Sequence, residues 1–207
     1  YAEAFYQWNF NNPSNGITNY RGFDNRHNSF TLANVAVDAK WDYENLIGRT
    51  TLQVGHTPST YYLSEPQAAG SSAANASSIE LWKYVQQAYA GYRFPMGEHA
   101  LVVTAGLFLS PIGPETMPVK DNWNWSRSNL FFGLPFYHTG VTAKYELTPK
   151  WAITFAGYNG WNSVVDNNDE KSVSAQVTYT RDDLIVSMLY FGGVERPRAA
   201  PEGRAWR

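Results

Sequence analysis

Histidines, serines and carboxylates are the groups that could do chemistry in this chain, and their spacing is unpromising for most of it. His27, His56, His99 and His138 never stand at i, i+2 or i+4 to one another, so neither a strand nor a helix would bring two of them onto one metal ion. The count of zero Cys removes disulfides, thiolate ligands and thiol nucleophiles. A lipase-type site needs a Ser within reach of a His that is oriented by Asn or Asp. Serines and asparagines abound, yet no Gly-x-Ser-x-Gly elbow occurs. The run Asp166-Asn167-Asn168-Asp169-Glu170 offers hard oxygen ligands, but it lacks the central Gly of a calcium loop, and Val177 stands where the distal Glu belongs. No cofactor and no metal are expected.

Charge gathered in one segment is the better candidate. Between Ile112 and Ser128 lie Glu115, Lys120, Asp121 and Arg127, together with Pro114, Pro118, Trp123 and Trp125. Two Trp in an exposed loop would be unusual, so packing of this segment against something is expected. If it folds inward, its charges of both signs would tune the passage of solutes. Otherwise the tryptophans belong to an interfacial belt or cap a wall. Lys83, Arg93, His138, Lys144 and Glu146 are further candidates for lining the same space, provided that the elements carrying them face it. His138 reads first as a histidine bonded to its neighbours and second as a pH-sensitive group. With the signs mixed, no anion or cation preference is expected.

Composition narrows what those elements are. A chain of 207 residues suits one large all-β domain. Its formal net charge of -2, from 16 Lys and Arg against 18 Asp and Glu, lacks the basic surplus of a nucleic-acid binder. Aromatic residues make up 16%, the same share as the charged ones, which is more aromatic and less charged than soluble domains usually are. Yet no stretch approaches the ~18 to 20 apolar residues of a membrane helix.

Alternation with a period of two recurs throughout. Val173, Ala175, Val177 and Tyr179 oppose Ser172, Ser174, Gln176, Thr178 and Thr180. Tyr137, Thr139, Val141, Ala143, Tyr145 and Leu147 oppose His138, Gly140, Thr142, Lys144 and Glu146. A third run places Thr31, Ala33, Val35, Val37, Ala39, Trp41 and Tyr43 against Asn34, Asp38, Lys40 and Asp42. Around Trp82 to Phe94, aromatics mark both ends of the apolar face: Trp82 and Tyr84 at one end, Tyr92 and Phe94 at the other. At ~3.3 Å per residue and a tilt near 45°, that separation matches a lipid-facing band about 25 Å tall. Trp41, Tyr43, Trp82, Tyr84, Tyr92, Phe94, Tyr137 and Tyr145 are therefore expected in aromatic girdles.

The connections separate a membrane barrel from a soluble sandwich. Strands are predicted near 1–11, 28–43, 46–57, 79–95, 100–111, 134–147, 151–161, 171–181 and 183–192. Tight turns between them alternate with long polar loops near 12–27, 58–78, 112–133 and 162–170. Short turns on one rim and long loops on the other mark an up-and-down transmembrane β-barrel. About nine strands is an odd number, and an open edge in lipid is costly, so further strands are expected to follow Arg207.

Three segments then carry a family resemblance: Phe23-Asp24-Asn25-Arg26-His27-Asn28-Ser29-Phe30-Thr31-Leu32, Lys120 to Ser128 running on through Pro135-Phe136-Tyr137-His138-Thr139-Gly140, and Asn159 to Asn168. With the strand spacing they cover essentially the whole chain, which resembles the OmpL-like β-barrel porin family of Gram-negative bacteria. The resemblance implies an outer-membrane channel and supplies no catalytic residues.

The expectation is an all-β, antiparallel up-and-down transmembrane barrel, incomplete, forming one partial domain over 1–207. Its expected role is a passive, non-enzymatic porin of the cell outer membrane, in contact with outer-membrane lipid and small hydrophilic solutes, with a homo-oligomer allowed. A closed structural or adhesive barrel binding an external partner is the alternative, and an outer-membrane hydrolase the lesser one.

Overall fold

The computed structural model describes residues 1–65, 78–196 and 206. Nine strands form one sheet: β1 (Ala2–Tyr6), β2 (Phe30–Tyr43), β3 (Leu46–Val54), β4 (Val85–Met96), β5 (His99–Leu109), β6 (Tyr137–Glu146), β7 (Trp151–Tyr158), β8 (Ser172–Arg181) and β9 (Leu184–Gly192). Each pairs antiparallel with the next in sequence, so the sheet is an up-and-down meander with β1 and β9 at its open edges. Three connections are two-residue hairpins whose first residue takes positive φ: Glu44 (54°), Gly97 (67°) and Asp182 (48°). That backbone hand matches the twist of the strands that a tight hairpin joins. In a meander the connections alternate between the two ends. The four short turns therefore share one end, and the loops carrying helices α1 (His56–Tyr61), α2 (Ile79–Trp82) and α3 (Asn129–Phe132) lie at the other. Part of the long loop expected near 58–78, residues 66–77, lies outside the described residues.

Two bulges correct the predicted faces. Glu3 pairs with Asn34 while Ala4 pairs with Leu32, which leaves Ala33 as an extra residue. The alternation slips there: Phe30 and Leu32 are exposed while Ala33 is buried, so Thr31 and Ala33 do not continue the Val35–Tyr43 face. Likewise Thr51 pairs with Gln87 and Leu52 with Val85, so Gln86 is extra and both glutamines are buried. Below it the predicted strand is instead helix α2, where Ile79 and Trp82, one turn apart, pack on a core of aromatic rings. Trp82 is thus not a girdle residue, and Tyr84 lies just before β4 rather than within it. Lys83 caps α2 and pairs with Glu80 at 2.5 Å instead of lining a strand.

The two faces of the sheet are inverted relative to a soluble protein. Among the described residues, buried polar side chains outnumber buried apolar ones, while Val37, Leu52, Val141, Phe155, Val173, Val186 and Met188 are exposed. Near the short turns this exposed face ends in Trp41, Tyr43, Tyr92, Phe94 and Trp151, with Tyr145 and Tyr179 half-buried among or beside them. Trp41 lies over its cross-strand partner Gly48, where a Cβ would meet the indole. At the long-loop end of the same face, Tyr6 and Phe30 pack with ring centroids 4.8 Å apart. The apolar core sits at that end and is built largely by loops: Phe23, Tyr61, Tyr62, Met117, Phe131 and Val164 join Leu107 and Tyr137.

Candidate functional site

Polar side chains cover the other face. Asp38 of β2 accepts from Arg49 Nε and Nη2 at 2.8 and 2.9 Å and from Thr51 Oγ1 at 2.7 Å. Asp42 receives Arg93 through both terminal guanidinium nitrogens, at 3.2 and 2.8 Å. Lys144 donates to Glu146 at 3.1 Å. Deeper in, an amide chain crosses three strands: Asn34 Nδ2 and Gln86 Nε2 donate to Gln53 Oε1 at 3.3 and 2.8 Å, and Gln53 Nε2 donates to the Lys83 carbonyl at 3.1 Å. Thr104 and Thr142 share a hydrogen bond of 2.7 Å. Each of these carboxylates is matched by a cation, and Lys40 is the inward lysine with no ion pair among the described residues. Such a wall is hydrophilic with little net field.

The segment after β5 forms a self-contained strap. The Glu115 carboxylate accepts from the Ser128 backbone N–H at 3.0 and 3.2 Å and from its hydroxyl, which closes the two ends on each other. Inside, Asn122 holds the Thr116 N–H and C=O, each at 2.8 Å. Arg127 leaves the strap and reaches Glu3 of β1 at 3.3 Å, and also bonds the Met117 carbonyl. Glu3 alternates with the exposed Ala2 and Ala4, so it belongs to the polar face, and the strap from β5 meets that face at β1. Arg21 and Asp24 of the first long loop bind Ser126, and the Arg21 guanidinium lies over Trp125.

These positions alter several expectations. Trp123 is fully exposed and Trp125 is 64% exposed, so the tryptophans do not pack the strap; Arg127, Met117 and Phe23 do. Arg127 is a buried anchor rather than a water-facing group, its side chain only 2% exposed. Lys120 and Asp121 are exposed and pair with each other at 2.7 Å. Tyr137 is no girdle residue: it is buried, and its hydroxyl donates to Glu65 at 2.6 Å.

His138 is also fully buried, stacked on Tyr158 with centroids 4.4 Å apart. Its Nδ1 faces the Gly160 carbonyl at 2.9 Å, so that nitrogen donates, and Nε2 is left to accept from Ser110 Oγ at 3.1 Å. A Ser–His contact therefore exists, but its third member is a carbonyl rather than an Asp or Asn, and the imidazole itself is fully buried. That geometry is structural.

Glu65 had no signal in the sequence. Buried, it accepts from the backbone N–H groups of Val164 and Val165 and from Tyr137, tying the second long loop to the fourth. In the same cap, burial raises the Tyr61 hydroxyl pKa well above its ordinary value. Burial, followed by the charge of Arg26, lowers that of His56. Among the described residues no cluster of His, Cys, Asp and Glu could hold a metal ion. Among the described residues no helix is long and apolar enough to cross a membrane, which says nothing of strands.

A family model described as "Putative beta-barrel porin-2, OmpL-like" matches residues 1–207, the whole chain. The chain belongs to this OmpL-like porin family. No curated protein and no solved structure matches it. Membership agrees with the single nine-stranded meander and gives the chain the general role of an outer-membrane β-barrel porin.

Proposed function

We propose that this OmpL-like porin is a passive diffusion channel for small hydrophilic solutes in the outer membrane of a Gram-negative cell, and that it carries out no enzymatic step. The inverted sheet carries the reading: a face of paired charges, amides and hydroxyls that water can wet, backed by an apolar face that lipid can cover. The strap from Glu115 to Ser128 narrows the passage, with Lys120 and Asp121 presented to the solute. Arg93, Lys144 and Glu146 line the wall nearer the short turns. Solutes cross down their own gradient. The residues over 1–207 contribute to one barrel domain, and a homo-oligomer is compatible with the exposed apolar face.

The test is solute-induced swelling of proteoliposomes containing the protein, with sugars and amino acids of graded size. Swelling that falls with solute size supports the channel. Liposomes that stay impermeable while the protein is folded and inserted would favour the closed, adhesive barrel.

A further inference from the structure

We infer that Arg127 is a positioning residue that staples the constriction strap to the channel wall, with Glu3 on β1 as its seat; the inference rests on the channel reading above. The strap keeps its shape by itself, through the Glu115–Ser128 closure and the two Asn122 bonds to Thr116. Nothing in those bonds decides where the strap lies relative to the wall. Its contacts through Ser126 and Trp125 go to the first long loop, not to a strand. Met117 packs in the apolar core with Leu107 of β5 and Tyr137 of β6. Among the described residues, the Arg127–Glu3 pair, which joins residues 124 apart in sequence, is the ion pair that ties the strap to a strand.

The seat engages the two terminal nitrogens of the guanidinium, while the buried Nε has no hydrogen-bond partner among the described residues. One nitrogen meets Glu3 Oε1 at 3.3 Å, another meets the Met117 carbonyl, and the Arg127 guanidinium carbon lies 5.3 Å from the centre of the Phe23 ring. The second Glu3 oxygen accepts from the Tyr1 hydroxyl. Only a planar fork satisfies a carboxylate, a carbonyl and a ring face together; a lysine ammonium is a point charge on a flexible stem. Both side chains are largely out of water, Arg127 at 2% and Glu3 at 11% exposure. Unseating one would leave the other buried and unpaired, so the closed position is strongly favoured while both are present.

Single-channel recording in planar bilayers tests this, on the parent protein, Arg127→Gln, Glu3→Gln and Arg127→Lys. Resistance to protease in detergent checks that each variant has assembled. Both Gln variants should raise unit conductance by roughly half or more and add open-channel noise, as a constriction released from its wall would. Arg127→Lys, which keeps the charge but not the fork, should fall between them and the parent. If Arg127→Gln does not assemble, Glu3→Gln decides, because its amide still offers the guanidinium a hydrogen bond. Assembled variants with parental conductance and noise overturn the staple and leave the channel standing. A folded parent that passes no current overturns the channel reading itself, and the staple's role with it.

Discussion

His56 shows how single residues in the cap respond to solvent conditions. It is half-buried in α1, and its Nε2 lies 2.9 Å from Asn25 Oδ1, which can only accept, so the imidazole donates there. Burial, then the charge of Arg26, depresses its pKa. In the unfolded chain it protonates near ~6.5. Below that pH, down to the depressed value, the unfolded chain binds more protons than the folded one. Its contribution to stability is thus present above ~6.5 and lost as the pH falls through the window beneath. The thermal midpoint should therefore drop on acidification below that point, and His56→Gln should flatten the dependence; an unchanged slope would assign the effect elsewhere. Lys120 and Asp121 behave differently. Exposed neighbours that pair only with each other contribute little to stability. Lys120→Glu should therefore shift the reversal potential toward cation selectivity while leaving the melting temperature where it was. A shift in melting without a change in selectivity would mean that the pair is structural and faces away from the passage.

Strands divide into two faces, and the cost of a charge depends on which face receives it. Val177 pairs with Ile153 and Met188 on the outward side of β8, whereas its neighbour Gln176 pairs with Thr154 on the polar side. Val177→Arg near the middle of the bilayer should destabilise by about 2 to 4 kcal/mol, and Gln176→Arg by much less. Equal costs in urea titrations of the lipid-embedded protein would show the faces misassigned. These faces were legible in the sequence where polar and apolar residues alternate, as in β2, β6 and β8, because alternation is a local property of the chain. All nine strands appear in their predicted regions, but β1 ends five residues before its predicted limit and β4 begins six residues after its own. The bulges at Ala33 and Gln86 were not legible, because an extra residue is defined only against its partner strand. Nor was α2, whose helical turn is fixed by the rings that Ile79 and Trp82 meet from other loops. The strap illustrates the same limit. Its charges stood out, but the tryptophans pointed to the wrong anchor, since nothing local says that Arg127 meets Glu3.

At the scale of the whole molecule, the sorting of the connections determines how the sheet can sit in a membrane. The four long loops interlock: the first binds the third through Asp24, Arg21 and Ser126, and the second binds the fourth through Glu65 and the backbone of Val164. Interlocked polar segments of this size cannot rest in hydrocarbon, where every backbone group needs an internal partner. The opposite end carries only short turns, three of them with two residues each, a form that leaves little to solvate and suits the periplasmic side. In lipid, the free backbone groups along β1 and β9 must also be paired, whichever strands supply the partners. The orientation can be read directly, because the chain has no native cysteine to confuse a thiol label. Trp123→Cys stands fully exposed at the tip of the strap, and Glu98→Cys stands exposed in the turn between β4 and β5. A membrane-impermeant maleimide applied to intact cells should label the first and reach the second only after the outer membrane is permeabilised. Labelling of Glu98→Cys alone would reverse the orientation. Labelling of both in intact cells would mean that the sheet does not span the membrane, and the inverted faces would then have to be explained by a partner that covers the apolar side.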